Sequence, residues 1–153
     1  MPDKQTLERA RRDKRQGKSA STQASEFVRE EMHHIREGRH GAKSAKQAIA
    51  IGLSKARRSG VALEPPKKGT TSEKTRKSAK RAYEAGQGAP RRARSSARRA
   101  RAVERRLRSE PRSAASHRAL SRQAHESAKK RGPANRSMAA RKAARTREHH
   151  THA

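Results

Sequence analysis

The sequence contains no cysteine and no tryptophan, and it has one phenylalanine and one tyrosine in 153 residues. Without cysteine there are neither disulfides nor thiolate metal sites, which fits a reducing compartment. The longest uninterrupted apolar run, residues 48–51, is far shorter than the roughly 20 residues of a membrane span. The N-terminal residues lack the apolar segment of a secretory signal. We therefore expect a cytoplasmic protein without a membrane partner.

The sequence also lacks the residues of an active site. So few aromatic residues cannot line an apolar cleft, and there is neither a nucleophile motif nor a glycine-rich phosphate loop. The acidic pair Glu30 and Glu31 stands among basic residues on a predicted solvated helix face. Histidines cluster near residues 33–40 and 149–152, but neighbours on a helix diverge and the second cluster is a flexible tail. We predict no enzyme activity, no cofactor and no metal ligands.

Positive charge is what the sequence has in excess, with 42 Lys and Arg against 14 Asp and Glu and a formal net charge of +28. Leu, Ile, Val and Phe number only 12, so most of the chain cannot build a core. A polycation in a cell meets mainly nucleic acid and anionic membrane surface. A polyanionic partner is therefore expected.

Residues 21–64 have the pattern of a helical hairpin. Ser25 is the predicted N-cap of the first helix, Gly38 its predicted stop, and Phe27 lies at the edge of its apolar face. The residues on that face share helical spacing: Ala24, Val28, Met32 and Ile35.

The second helix of the hairpin has a Ser-x-x-Gln capping box at Ser44 and a predicted stop at Gly60. Gly52 would allow another helix to approach closely, and Ile51 points away from the predicted core, which makes a second copy of the hairpin a candidate partner. The turn is too long for a standard helix-turn-helix. The apolar face comprises Ala45, Ile49, Leu53 and Ala56, and Val61 and Leu63 are predicted to fold back onto the hairpin.

The other segments lack a wide apolar stripe. Residues 1–20 are predicted to form a disordered basic arm, and residues 65–90 a linker with one short helix that a capping box at residues 70–73 opens. Residues 91–153 form an Arg/Ala-rich low-complexity tail interrupted at Pro111 and Gly132. Because neighbouring arginines repel, we expect this tail to be nascent helix that orders on binding phosphate. The predicted fold class is all-α, a short helical hairpin with largely disordered or nascent-helical basic tails.

The candidate nucleic-acid contacts are basic residues of the second hairpin helix and of the tail. Arginine takes phosphate oxygens in a bidentate fork and stacks on exposed bases. The candidates are Lys43, Lys46, Arg57, Arg58, Arg91, Arg92, Arg94, Arg98, Arg99, Arg101, Arg105, Arg106, Arg108, Arg118, Arg122, Arg141, Lys142 and Arg145.

Two segments carry a resemblance to a known family. Residues 26–38 end a helix at a basic, Gly-containing turn, and residues 46–58 read Lys-Gln-Ala-Ile-Ala-Ile and end in Ala-Arg-Arg. This pattern resembles an uncharacterised family of small basic bacterial proteins that often carry an Arg/Ala/Ser tail. The tail is also similar in style to bacterial histone-like tails of the linker-histone type. The resemblance implies a bacterial cytoplasmic setting and no transferable activity.

The sequence thus predicts non-specific, charge-driven nucleic-acid binding, with DNA favoured over RNA and a role in condensing or protecting the nucleoid. The alternative is a protein-interaction or RNA-associated factor, in which the hairpin binds a protein partner and the tail tethers it to RNA. Comparing affinity for duplex DNA and structured RNA at fixed salt separates the two.

Overall fold

The computed structural model describes residues 2–88 and 97–151 and places most of them in α-helices. These residues include no β-strand. The chain divides into two units, Met1–Ser116 and His117–Ala153. The helices are α1 Lys4–Arg15, α2 Ala20–Arg36, α3 Ala45–Arg58, α4 Glu73–Gly86, α5 Ala97–Ser109 and α6 His117–Thr151, with a 3-10 turn at Arg112–Ala115.

The predicted short hairpin with disordered or nascent-helical tails is wrong. The hairpin helices α2 and α3 are present, but α1 packs against α2 and α4 packs against α3. The segments that form α5 and α6 are helical as well. Alanine and arginine both favour helix, and on α5 two arginines pair with glutamates one turn away, which offsets the repulsion between like charges.

The ends of the hairpin helices follow local sequence signals, with one exception. Gly38 and Gly60 end α2 and α3 with positive φ, as predicted. At α3 the amide of Gly60 donates to the carbonyl of Arg57 and that of Val61 to the carbonyl of Ala56, which is a Schellman motif. The predicted N-cap of α2 is wrong, because the helix begins earlier and Ser19, not Ser25, accepts the hydrogen bond from its first turn.

The predicted capping box of α3 is present with one change of partner. The hydroxyl oxygen of Ser44 accepts from the amide of Gln47 at 3.2 Å. The side-chain oxygen of Gln47 reaches back to the amide of Lys43 at 2.8 Å, one residue before the cap. Both bonds satisfy amide groups that the helix itself cannot pair.

The core of the first unit is built from small side chains around one aromatic ring. Phe27 is fully buried and packs with Ala10 of α1, Ala56 of α3 and Val61. Leu63 is partly buried against the same cluster, so the predicted fold-back after α3 is confirmed. Phe27 lies in the centre rather than at the edge because α2 is covered by α1 on one side and by α3 on the other.

Helices α2 and α3 come into close backbone contact at Gly52. A Cβ at this position would lie 2.7 Å from the Cα of Val28. Carbon atoms that are not bonded to each other do not approach this closely, so only glycine allows the observed approach. The predicted role of Gly52 is confirmed.

The short helix predicted in the linker is confirmed as α4, but its N-cap is Ser72 and not Thr70, the first residue of the predicted capping box. The hydroxyl of Ser72 accepts from the amide of Thr75 at 3.3 Å, and Ala79 and Ala82 are buried. The C-terminal end of α4 lies against the C-terminal end of α3, where Gly86 contacts the carbonyl of Arg57. This helix is therefore part of the packed first unit.

Helix α6 constitutes the second unit and is interrupted at the predicted position. Gly132 has φ 74° and ψ 167°, which is not helical, and Pro133 follows it. The helix therefore consists of two parts, one on either side of Gly132. None of the helices in residues 2–88 and 97–151 is long and apolar enough to cross a membrane.

Candidate nucleic-acid interface

Helix α5 carries six arginines in 13 residues and sorts them from its apolar residues. Because an α-helix turns once in 3.6 residues, Arg98, Arg101 and Arg105 share a face that continues to Arg108. The apolar residues Ala100, Val103 and Leu107 lie on the opposite side of the helix. The arginine face extends over about 15 Å at a rise of about 1.5 Å per residue.

Half of these guanidinium groups are available for an external anion. Arg106 pairs with Glu110 at 2.8 Å and Arg108 with Glu104 at 2.7 Å, both as exposed pairs that water screens. Three further arginines of α5 are exposed and have no ion-pair partner within the described part of the chain: Arg98, Arg101 and Arg105.

The C-terminal end of α5 is held to the turn between α2 and α3. The amide of Gly41 donates to the carbonyl of Leu107 at 2.8 Å, and the amide of Ala42 donates to that of Pro111 at 3.1 Å. Gly41 lies so close to the carbonyl of Glu110 that a Cβ would collide with it. This end of the basic helix is thus fixed to the folded core.

The 3-10 turn adds a second attachment. The Nε of Arg36 donates to the carbonyl of Ala115 at 2.9 Å, and Ala114 and Ala115 are buried. The turn also contacts both α2 and α3. Sequence reasoning placed these residues in a tail, because nothing in their composition indicates which surface they contact.

Helix α6 exposes its predicted residues in two groups. Arg118 and Arg122 are one helical turn apart before the break at Gly132, and Arg141, Lys142 and Arg145 follow it. Each group therefore presents closely spaced cations to solvent.

The four candidates from the hairpin do not form one cluster. Lys43 and Lys46 are exposed at the start of α3, whereas Arg58 is exposed at its other end. Positions 46 and 58 are about 18 Å apart along the helix axis. The second hairpin helix therefore does not gather its cations on one patch.

Arg57 is the one described candidate that is buried, with 7% of its surface exposed. Its Nε donates to the carbonyl of Leu63 at 3.0 Å, and one terminal nitrogen donates to that of Glu64 at 3.2 Å. Burial lowers the pKa of this guanidinium. Its contacts hold the segment after α3 against the helix, and we remove Arg57 from the interface.

The remaining candidates fall into two sets. The exposed ones are Lys43, Lys46, Arg58, Arg98, Arg99, Arg101, Arg105, Arg106, Arg108, Arg118, Arg122, Arg141, Lys142 and Arg145. Arg91, Arg92 and Arg94 lie outside the described residues.

Sequence reasoning missed a third basic surface, on α1. Arg11, Arg12 and Arg15 are exposed on a helix that was predicted to be disordered. The signal was available in the apolar spacing of Leu7 and Ala10, which face the core. This short stripe was overlooked because it holds a single large apolar residue.

The fold and these surfaces define a small all-helical protein with exposed arginine-rich helices. Residues 11–68 match the model of DUF6496, a family of unknown function. The match includes the end of α1, the whole of α2 and α3, and less than half of the chain. It confirms the predicted resemblance to an uncharacterised domain. No curated protein and no solved structure gives a match to this chain.

Proposed function

We propose that this protein binds nucleic acid non-specifically through charge, with the arginine faces of α5 and α6 against phosphate. The observation that carries the proposal is the row of exposed arginines on α5, of which Arg98, Arg101 and Arg105 have no ion-pair partner among the described residues. Residues 91–153 hold 20 basic and 4 acidic residues, against eight and five in residues 21–64. The excess charge is therefore concentrated outside the hairpin.

Binding of this kind releases counterions from the phosphate backbone, so that affinity falls steeply with salt. Six to ten phosphate contacts would give a slope of log affinity against log salt of about −5 to −9. Phosphate contacts carry no base information, so unrelated duplexes should bind alike. Condensation or protection of the bacterial nucleoid, in the cytoplasm, is the role that fits such binding.

The alternative is a protein-interaction or RNA-associated factor, and one feature of the fold favours it. A cavity of about 560 Å³ is lined by Ala100, Val103 and Leu107 together with Arg39 and His40 of the hairpin turn. Val103 is 59% exposed there, which is unusual for a large apolar side chain in this chain. A protein partner would cover this stripe while the arginines contact RNA.

A salt titration of fluorescence anisotropy tests the proposal on the full-length chain. The variant R98Q/R101Q/R105Q removes three charges from α5, and R11Q/R12Q/R15Q removes the same charge from α1. We expect the α5 variant to give a slope shallower by about 2 to 3, because each lost phosphate contact removes about 0.9. The α1 variant should keep the original slope.

Comparing the α5 and α1 variants distinguishes binding through α5 from an effect of net charge alone. If both variants lose the same slope, α5 is not the interface and only total charge matters. If unrelated duplexes differ more than about tenfold in affinity, binding reads sequence and the proposal fails. Tighter binding to structured RNA than to duplex DNA at equal salt would favour the alternative.

A further inference from the structure

Two histidines and a glutamate that are separated in the sequence meet beside the turn between α2 and α3. They are Glu31 and His34 on α2 and His40 in the turn, and their potential ligand atoms lie within 4.8 Å of one another. Glu31 is fully buried and His34 is 6% exposed. Sequence reasoning expected no metal ligands, because adjacent His33 and His34 diverge on a helix, and it wrongly placed Glu31 on a solvated helix face.

The carboxylate of Glu31 lacks the hydrogen bonds that a buried carboxylate requires. Neither of its oxygens, both inaccessible to solvent, has a hydrogen-bond partner. The Nζ of Lys55 lies 2.6 Å from Oε2, and the Nε2 of His40 lies 3.2 Å from Oε1, but neither contact is directed as a hydrogen bond. Lys55 supplies one positive charge on one side only, and Oε1 faces His40.

The orientation of His40 indicates what belongs next to Oε1. The Nδ1 of His40 lies 3.0 Å from the carbonyl oxygen of Gly41. A carbonyl oxygen only accepts, so Nδ1 is the donor of this contact and Nε2 is the nitrogen that faces Glu31. A backbone carbonyl that fixes the second nitrogen in this way is the usual support of a metal-bound histidine. Either a metal ion or a proton between Nε2 and Oε1, which lie 3.2 Å apart, would satisfy both atoms.

We propose that Glu31, His34 and His40 bind a divalent transition-metal ion of the Zn²⁺ type. Two imidazoles and one carboxylate suit Zn²⁺, whereas Ca²⁺ and Mg²⁺ prefer oxygen ligands. Bonds of about 2.0–2.1 Å in a tetrahedron place ligand atoms about 3.3–3.4 Å apart, close to the separation of Glu31 and His40. The ion would tie α2 to the turn whose Gly41 amide holds α5.

Arg39 opposes the ion and provides a variant that gains affinity. One terminal nitrogen of its guanidinium lies 3.0 Å from the Nε2 of His34. A positive charge at this distance repels a divalent cation whichever ring nitrogen of His34 binds it. The Arg39 side chain is 55% exposed, so its replacement should leave the fold intact.

Zn²⁺ titration calorimetry on the full-length chain tests the site. All variants carry H149A/H150A/H152A, because the C-terminal histidines can bind Zn²⁺ on their own. We expect one equivalent of bound Zn²⁺, its loss in E31Q and in H40A, and several-fold tighter binding in R39Q. The control is H33A, since His33 is exposed and pairs with Glu37 at 2.8 Å, and it should keep the full equivalent.

Circular dichroism shows whether each variant is folded. If E31Q unfolds, R39Q still tests the site, because misfolding cannot make Zn²⁺ bind more tightly. Thermal unfolding is a second readout, since an ion that binds only the folded state raises Tm. No bound equivalent in the background lacking the C-terminal histidines would overturn the proposal and leave a proton between Glu31 and His40. Equal loss in H33A and H40A would also overturn it, because the binding would then not come from this site.

Discussion

The helices α1–α3 and the helix α5 use charged residues in opposite ways. In the first group acidic side chains form ion pairs between the helices, such as Glu26 with Arg9 at 2.6 Å and Glu31 with Lys55. The two acidic partners of the α5 arginines, Glu104 within the helix and Glu110 just after it, leave half of those arginines exposed without an ion-pair partner in the described residues. Basic composition therefore does not prevent folding. What distinguishes the regions is whether an apolar face finds a partner.

The largest expected effect is the difference in stability between a substitution in the core and one on α5. Phe27→Ala should lower the free energy of unfolding by about 3–5 kcal/mol, because it leaves a cavity between α1, α2 and α3. The measurement is urea denaturation followed by circular dichroism. Val103→Ala on α5 is the control, and it should change the free energy by less than about 0.5 kcal/mol because the side chain is 59% exposed. Similar losses in both variants would show that the core extends over α5.

Gly52→Ala tests whether close helix approach or helix propensity dominates in the hairpin. In an exposed helix this change stabilises by about 1 kcal/mol. Here the new Cβ would collide with the backbone at Val28, so we expect a loss of about 1–3 kcal/mol. Thermal unfolding decides the sign, and a higher Tm would mean that α2 and α3 are not in close contact.

Two adjacent arginines at the end of α3 sharpen the comparison within one helix. Arg57→Ala removes the donors to the carbonyls of Leu63 and Glu64 and should cost about 1–3 kcal/mol. Arg58→Ala changes an exposed side chain and should stay within about 0.5 kcal/mol. Denaturation curves of both variants measure the difference. Equal stability of the two would return Arg57 to the list of candidate phosphate contacts.

The smallest effect concerns the exposed pair at the start of α4. The hydrogen bond from Arg76 lowers the pKa of Glu73. A lowered pKa in the folded state stabilises the fold above the unfolded pKa, and this contribution is lost as the pH falls through the lowered value. Glu73→Gln should remove that part of the pH dependence and leave stability at acidic pH unchanged. Thermal unfolding at acidic and neutral pH measures it, and an unaltered pH profile in the variant would contradict the assignment.

The local signals in the sequence predicted helix ends better than they predicted the extent of the fold. The glycine stops after α2 and α3 and the cap at Ser44 were predicted correctly, because each depends on contacts within a few residues. Helix α1 was missed because its apolar stripe is narrow. A narrow stripe becomes stable only when a particular partner surface covers it.

The features of the candidate nucleic-acid interface also divide into those that composition predicts and those that depend on the fold. That exposed arginines would dominate residues 97–151 follows from composition alone. Composition does not predict that Arg57 is buried while Arg58 is exposed, since both follow Ala56 in a basic run. The course of the segment after α3 decides it, because the carbonyls that bind Arg57 are supplied by that segment.

The sequence by itself determined the excess of positive charge, the helical class of the hairpin and the positions at which its helices stop, because these depend on composition or on nearby residues. Only the tertiary structure decided that α1 and α4 join the hairpin, that Gly41 holds α5, and that Glu31 meets His40. Each of these contacts joins separate elements of the fold. Their free energy comes from surfaces that exist only after neighbouring helices have formed, so no local pattern encodes them.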